Sequence, residues 1–279
     1  MTLLVRLLKQ TKTRFALSAV VLCLCVPTGA SAQQNTAQND IGPYTEEEPT
    51  WGIGVVGISN QQGIQDIDRD TRFIPIVTYE NQYIRWFGPF IDFKLPSLTL
   101  GKDQNIEFNL AGGFDFGGYD DEEANDTPIL QGMDEREGAF AVGPKVKWNN
   151  PWVNIEATWM TDVSGDREGS SASLTFEKNW MFFHKVMLSP YMGINWLDDN
   201  FVDFHYGVRT YEVTGNRAAY IGESTINLEY GIRAAYIFNK KSSVIADIKM
   251  TSLGNEIKDS PLVDSSTENN ILLIYMYKF

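Results

Sequence analysis

From Trp51 to Phe279 the chain repeats one pattern: about ten residues that alternate between apolar and polar, then a few turn residues. In "AFAVGPKVKW", Phe140, Val142, Val146 and Trp148 share one phase, while Ala141, Gly143, Lys145 and Lys147 share the other. In "WVNIEATW", Val153, Ile155, Ala157 and Trp159 alternate with Asn154, Glu156 and Thr158. "INLEYGIRAAYIF" sets Ile226, Leu228, Tyr230, Ile232, Ala234, Tyr236 and Phe238 against Asn227, Glu229, Gly231 and Arg233. "FVDFHYGVR" does the same with Val202, Phe204, Tyr206 and Val208 against Asp203, His205, Gly207 and Arg209. A period of two means strands with two different faces.

Strand length separates the possible architectures. Soluble strands run about 5–6 residues, whereas a tilted strand that crosses a bilayer needs roughly 9–11. The apolar faces carry aromatics near strand ends (Trp148, Trp152, Trp159, Trp196, Tyr236), as interfacial girdles require. The opposite faces hold Glu, Lys, Asp and Arg, which a dry sandwich core does not accept unpaired but a watery lumen does. After the first 32 residues no apolar run is long enough for a spanning helix. The expected fold is an all-β, antiparallel transmembrane β-barrel.

The last strand supports this. In "NNILLIYMYKF", Ile271, Leu273, Tyr275, Tyr277 and Phe279 share the apolar phase, with Asn270 and Lys278 on the other. An apolar alternate row that closes on a terminal aromatic reads as the signal by which such barrels are recognised for assembly.

Strands are expected near 51–59, 72–81, 83–94, 104–116, 138–148, 152–162, 171–180, 186–197, 201–212, 226–238, 242–251 and 270–279. That is about twelve, an even number as a single-chain barrel requires, with ten as the alternative. Asn81-Gln82, Asp198–Asn200 and Asn239–Lys241 then read as periplasmic turns, and 60–71, 213–225 and 252–269 as outer loops. Counting back from Phe279 puts the long stretch Gly117–Glu137 on the periplasmic side, which leaves either a functional inner loop or a miscount.

The first 32 residues have Arg6, Lys9, Lys12 and Arg14, an apolar core from Phe15 to Val26, and Ala30-Ser31-Ala32. This is the pattern of a cleaved secretory signal peptide. Residues 33–50 have little to bury and read as a flexible N-terminal arm, and 51–279 form the barrel. Both cysteines, Cys23 and Cys25, lie in the leader, so disulfide and thiolate chemistry are excluded from the mature chain. Four of the 23 Lys and Arg residues lie there too, leaving 19 against 36 acidic residues, a net charge of −17. Nucleic acid is excluded as a partner; cationic partners or bridging divalent ions are favoured.

Candidate chemistry is sparse. His184 sits in an apparent connection, and His205 has Asp203 about 7 Å along the same strand face, too far to orient it. Both read as structural, and no catalytic residue is expected. "DIDRD" (Asp66–Asp70) resembles the start of a calcium loop, but Thr71 stands where glycine is needed and no glutamate closes it. No metal or other cofactor is expected. The lumen phases offer Glu107, Asp115, Lys145, Lys147, Glu156, Glu177, Asp203, Arg209, Glu229, Arg233, Asp247 and Lys249, so a cross-braced, plugged interior is as natural as a channel. The strongest charge cluster is the 117–137 loop. Asp120, Asp121, Glu122, Glu123 and Asp134, with Met133 as an adaptable apolar contact and Arg136 as the lone cation, are expected to form a docking surface for a basic partner.

Several segments resemble the MipA/OmpV family of MltA-interacting outer-membrane proteins. "LQGMDEREGAFAVGP" (Leu130–Pro144) is similar to its Gly-Met-x-x-Arg block, "SGDREG" (Ser164–Gly169) to its Ser-Gly-x-x-x-Gly turn, "HYGV" (His205–Val208) to its Tyr-Gly-Val strand, and "DSPLV" (Asp259–Val263) to its Asp-Ser-Pro loop. The resemblance implies an integral barrel in the Gram-negative outer membrane. For the best-known members it also implies a non-enzymatic scaffold between a murein-lytic transglycosylase and a penicillin-binding protein. The expected partners are therefore outer-membrane lipid, lipopolysaccharide and a periplasmic murein hydrolase or synthase. A narrow channel or a surface adhesin is the alternative.

Overall fold

The computed structural model describes residues 49–279 except 116, 137, 166 and 167. The signal peptide expected at 1–32 and the arm up to residue 48 lie outside the described residues. The strand segments are β1 (Thr50–Gln61), β2 (Asp70–Glu80), β3 (Ile84–Phe87), β4 (Phe90–Lys94), β5 (Leu98–Gly101), β6 (Gln104–Phe114) and β7 (Phe140–Asn149). They continue with β8 (Asn154–Asp162), β9 (Ser170–Glu177), β10 (Trp180–Phe182), β11 (Val186–Leu197), β12 (Thr225–Ile237), β13 (Ser242–Ser252) and β14 (Thr267–Lys278).

These segments close into an antiparallel barrel of twelve strands. β1 pairs with β2 and β14, and the ring closes where β9 pairs with β11. β5 continues the place of β4 beside β6, and β10 continues that of β9 beside β11, so neither adds a position to the ring. Closure gives each of the twelve strands a neighbour on both sides, as a bilayer demands because lipid offers backbone groups no hydrogen bonds; the narrowest seam is β2–β3, paired over Thr78–Glu80.

The strand total agrees with the sequence expectation, but two segments differ from it in opposite senses. Residues 83–94 form not one strand but the short hairpin β3–β4, because Gly88, at φ 52°, and Pro89 turn the chain back. Residues 201–212 are not a strand at all. Asp199–Tyr206 is an α-helix, α2, whose N-cap Asp198 accepts a hydrogen bond from the Phe201 N–H at 2.8 Å. The added crossing precedes the Gly117–Glu137 loop and the lost one follows it. That loop therefore stands at the end opposite Thr50 and Phe279, with the other long loops, and not with the short turns as the count expected.

The faces fall as the alternation predicts. On β12, Ile226, Leu228, Tyr230, Ile232 and Tyr236 point outward and are exposed, whereas Asn227 and Arg233 are buried in the lumen. Ile271, Leu273, Tyr275 and Phe279 are likewise exposed on the outside. Aromatic clusters mark both rims: Trp51 packs on Tyr79 at 4.6 Å near the turns, and Trp159 on Trp196 at 5.5 Å near the loops.

The lumen is not polar throughout. Val56, Ile76, Phe87, Ala235, Ile245, Leu272, Ile274 and Met276 form an apolar cluster on one inner wall, so the middle of β14 is apolar on its inward as well as its outward row. Beside it the charged residues pair. Arg233 meets Glu177 and Asp247 at 3.0 Å each, Lys145 meets Asp92 at 2.6 Å, Glu80 binds Arg85 and Lys94 at 2.9 Å each, and Lys249 reaches Glu229 at 3.2 Å. Each pair bridges different strands or successive turns of the wall and braces the barrel from within.

Candidate functional site

Four connections, 62–69, 115–139, 198–224 and 253–266, fold together over the mouth opposite the termini. Each contributes to one buried core. Ile64 and Ile67 come from the first, Tyr119, Leu130 and Met133 from the second, Phe201, Val202 and Tyr206 from the third, and Ile257 and Leu262 from the fourth. The cap has local structure of its own. Helix α1 (Asp121–Asp126) starts at Asp120, whose side chain accepts the Glu123 N–H at 2.9 Å; α2 roofs the lumen; and α3 (Asn255–Lys258) sits in the last connection. Bridges Tyr119–Arg136 and Val208–Tyr220 each brace one loop, and Ile64–Val263 ties the first connection to the last.

At its centre lies a buried ion pair. The Arg136 guanidinium donates to both carboxylate oxygens of Glu212, at 2.9 and 3.1 Å, and both side chains are almost wholly buried. Glu212 also accepts the backbone N–H groups of Asp134, at 3.1 Å, and Arg209, at 2.8 Å. Burial pushes the Glu212 carboxyl up, but the two backbone donors and Arg136 outweigh it and hold the group below the usual carboxylate range. Arg217, also buried, donates to the carbonyls of Glu212, Ile129 and Gln131, so one cation ties two loops. Tyr119 packs beside this pair, and burial pushes its phenol up to about 12.

The expected docking residues divide. Asp121, Glu122 and Asp134 are exposed, Asp120 is engaged as a helix cap, and Glu123 is half-buried. Burial, then Asp120 and Asp70, raise the Glu123 carboxyl. Met133 and Arg136 are buried at 6% and 1% exposure, so they hold the cap together and cannot meet a partner. Their loop stands at the end opposite the termini and the short turns.

The histidines are placed as structural groups. His205 lies on α2, buried against the rings of Phe201, at 4.6 Å, and Phe204, at 5.1 Å. Asp203 turns away from it and accepts the Gly222 N–H at 2.9 Å. His184 is exposed in the β10–β11 turn at φ 54°.

The short-turn end has the opposite charge. Lys102, Lys178, Lys185, Lys240, Lys241 and Lys278 stand around it, and among the described residues Asp103 is the only side-chain carboxylate in those turns. Nothing in the sequence reading flagged this rim, because the lysines are spread over three hairpins and the last strand and converge only when the barrel closes. Glu212 and Arg217 were missed for the same reason: their partners lie 76 and 88 residues away.

The segments that carry the family resemblance all map to the loop end. Met133 and Arg136 belong to the first; Ser260 of "DSPLV" donates to the Tyr206 carbonyl, the second residue of "HYGV", at 2.7 Å. In "SGDREG", Ser164 donates to Asp162 from its N–H at 2.7 Å and from its hydroxyl at 2.6 Å, and Gly165 takes φ 87°.

Comparison with known proteins agrees. The family model described as MltA-interacting protein MipA matches residues 52–279. A putative outer membrane protein of Escherichia coli K12, YiaT, is 24% identical over 218 residues, covering 76% of this chain and 84% of the relative. The MltA-interacting protein of the same strain is 22% identical over 234 residues, covering 82% and 88%. Among solved structures, an outer membrane channel from Pseudomonas putida F1 aligns with a TM-score of 0.43 at 10% identity, covering 88% of this chain and all of that one. The chain is thus an outer-membrane β-barrel, and it belongs to the MltA-interacting protein MipA family.

Proposed function

We propose that this protein is a non-enzymatic scaffold that docks murein-remodelling enzymes, a lytic transglycosylase and a penicillin-binding protein, at its periplasmic rim. The observation that carries the reading is the segregation of charge between the two ends. Outer-membrane barrels keep short turns in the periplasm and long loops outside, so the lysine rim faces the cell wall and the acidic cap faces out. A single-sign rim speeds encounter with a partner of opposite charge and makes the contact salt-sensitive. The name of one relative, MltA-interacting protein, supports the choice of partner class. The partner surface is therefore acidic, the reverse of the basic partner that the acidic loop suggested. That loop, with Asp121 and Glu122 exposed, is better suited to the lipopolysaccharide side, where divalent ions bridge its carboxylates to phosphates.

A pull-down from detergent-solubilised envelope tests this. The variant with Lys102, Lys185, Lys240 and Lys241 all changed to Gln should fold normally yet lose the murein enzymes that the unaltered protein retains, and added salt should mimic the loss. Equal retention of those enzymes by variant and parent would remove the scaffold reading.

A further inference from the structure

Directly under the cap the strands bring carboxamides together on the inner wall. Asn195 of β11 is paired across the ladder with Asn227 of β12, and Asn60 of β1 with Asn270 of β14. Between these pairs Glu229 stands opposite Thr251, and Lys249 opposite Asn270. All four asparagines are buried, yet they line one chamber, which α2 roofs with Phe201, His205 and Tyr206. Asn270 is only 4% exposed, and its amide nitrogen has no hydrogen-bond partner among the described residues. A buried donor in that state calls for an acceptor.

The chamber joins a second lumenal cavity of about 130 Å³, sharing Asp115, Asn195, Phe201 and Glu229 with it. The space exists because β6 and β9 turn small residues inward there, Ala111, Gly113, Ser171 and Ser173 among them.

We propose that this chamber binds a small polyhydroxylated cation, the size of one amino-sugar ring. A carboxamide offers two donors and an acceptor in one plane, which suits hydroxyls that both donate and accept. A wholly apolar ligand would leave the buried Asn270 amide nitrogen without an acceptor. An anion would meet Asp92, Asp115, Glu156, Glu229 and Glu268, which outnumber the cations Arg85, Lys145 and Lys249 of the same lining and favour an ammonium group instead. The rings of Phe201 and Tyr206 give the apolar face of such a ring a surface to lie on.

The test uses the folded protein extracted from outer membranes in detergent, with glucosamine, glucose and gluconate as probes in saturation-transfer NMR. Glucosamine should bind saturably. Glucose, which lacks the charge, should bind about tenfold more weakly, the loss of one charge-assisted contact, and gluconate should not bind. Asn270→Leu should abolish glucosamine binding while heat-modifiable mobility stays normal; if that variant does not fold, the smaller change Asn195→Ser should weaken binding in its place. No saturable glucosamine signal, the result expected of a chamber that holds only water, overturns the proposal. Equal binding by a folded variant, or equal binding of glucosamine and gluconate, overturns it as well. Enzyme capture at the rim is a separate readout, so neither reading depends on the other.

Discussion

The two ends of the barrel are built on different physical terms. The loop end has a core like that of a soluble domain: apolar residues from four connections are taken out of water together, and a buried Arg136–Glu212 pair sits among them. The turn end has no such layer of packed loops among the described residues: its apolar cluster belongs to the inner wall of the strands, its turns are short, its aromatics face lipid, and its lysines stand in water. Long loops that could have frayed are instead one packed layer. The difference shows that loop length in a barrel does not measure flexibility. What matters is whether the loops bury each other, because the hydrophobic effect acts on the cap through water but not on the lipid-facing strands.

The sharpest way to break this comparison is topological, and the outcome is all or none. A cysteine replacing exposed Glu122 should react with an impermeant maleimide on intact cells, and one replacing Lys240 should react only after the outer membrane is opened. The reverse pattern would invert the barrel and with it the assignment of both ends.

Next in size is the ion pair. Arg136→Met or Glu212→Ala leaves one buried charge without its partner, which should cost about 3–5 kcal/mol of cap stability. Proteases added to the folded protein should then cut within 115–139 and 198–224 while the strands remain resistant. Unchanged resistance in both variants would show that the cap is held by its apolar core alone.

Ile232→Arg probes the lipid-facing wall and should cost about 2–4 kcal/mol in membrane stability near the bilayer midplane. Asn154→Arg, on the lumen face, should cost clearly less, as read from denaturant midpoints of the refolded protein. Equal costs would mean that the faces are misassigned.

Acid gives a graded version of the ion-pair test. The Glu212 carboxyl is held below its ordinary value, so its contribution is complete above the unfolded pKa, about 4.3, and is lost as pH falls through the lower folded value. The difference in cap protection between parent and Glu212→Gln should be constant from neutral pH to about 5 and should shrink only below about 4. A difference that fades near neutrality would contradict the geometry around Glu212.

The smallest effect belongs to the rim. Lys240→Gln with Lys241→Gln should leave thermal stability within about 0.5 kcal/mol of the parent, as exposed substitutions usually do, while weakening partner capture. A large loss of stability would mean that the rim is structural.

The sequence by itself determined the class of fold, the membrane and the two faces of most strands. Each of those rests on a period of two within about ten residues, a signal that survives folding because lipid on one side and lumen on the other impose it locally. Local pattern failed where two readings fit one string. In "FVDFHYGVR" the alternation is real, yet Phe201, Val202, His205 and Tyr206 are the buried set, spaced for one face of a helix, and the Asp198 cap selects that outcome. The Gly88-Pro89 turn was legible, but the apolar residues on both sides of it read as one strand. Only the tertiary structure decided the rest. The cap joins Arg136 to Glu212 and Gly63 to Glu268, pairs 76 and 205 residues apart, and the asparagine chamber and lysine rim each draw on strands or turns from across the chain. No local periodicity records such contacts, because they come into being only when the sheet closes on itself and fixes which strands are neighbours.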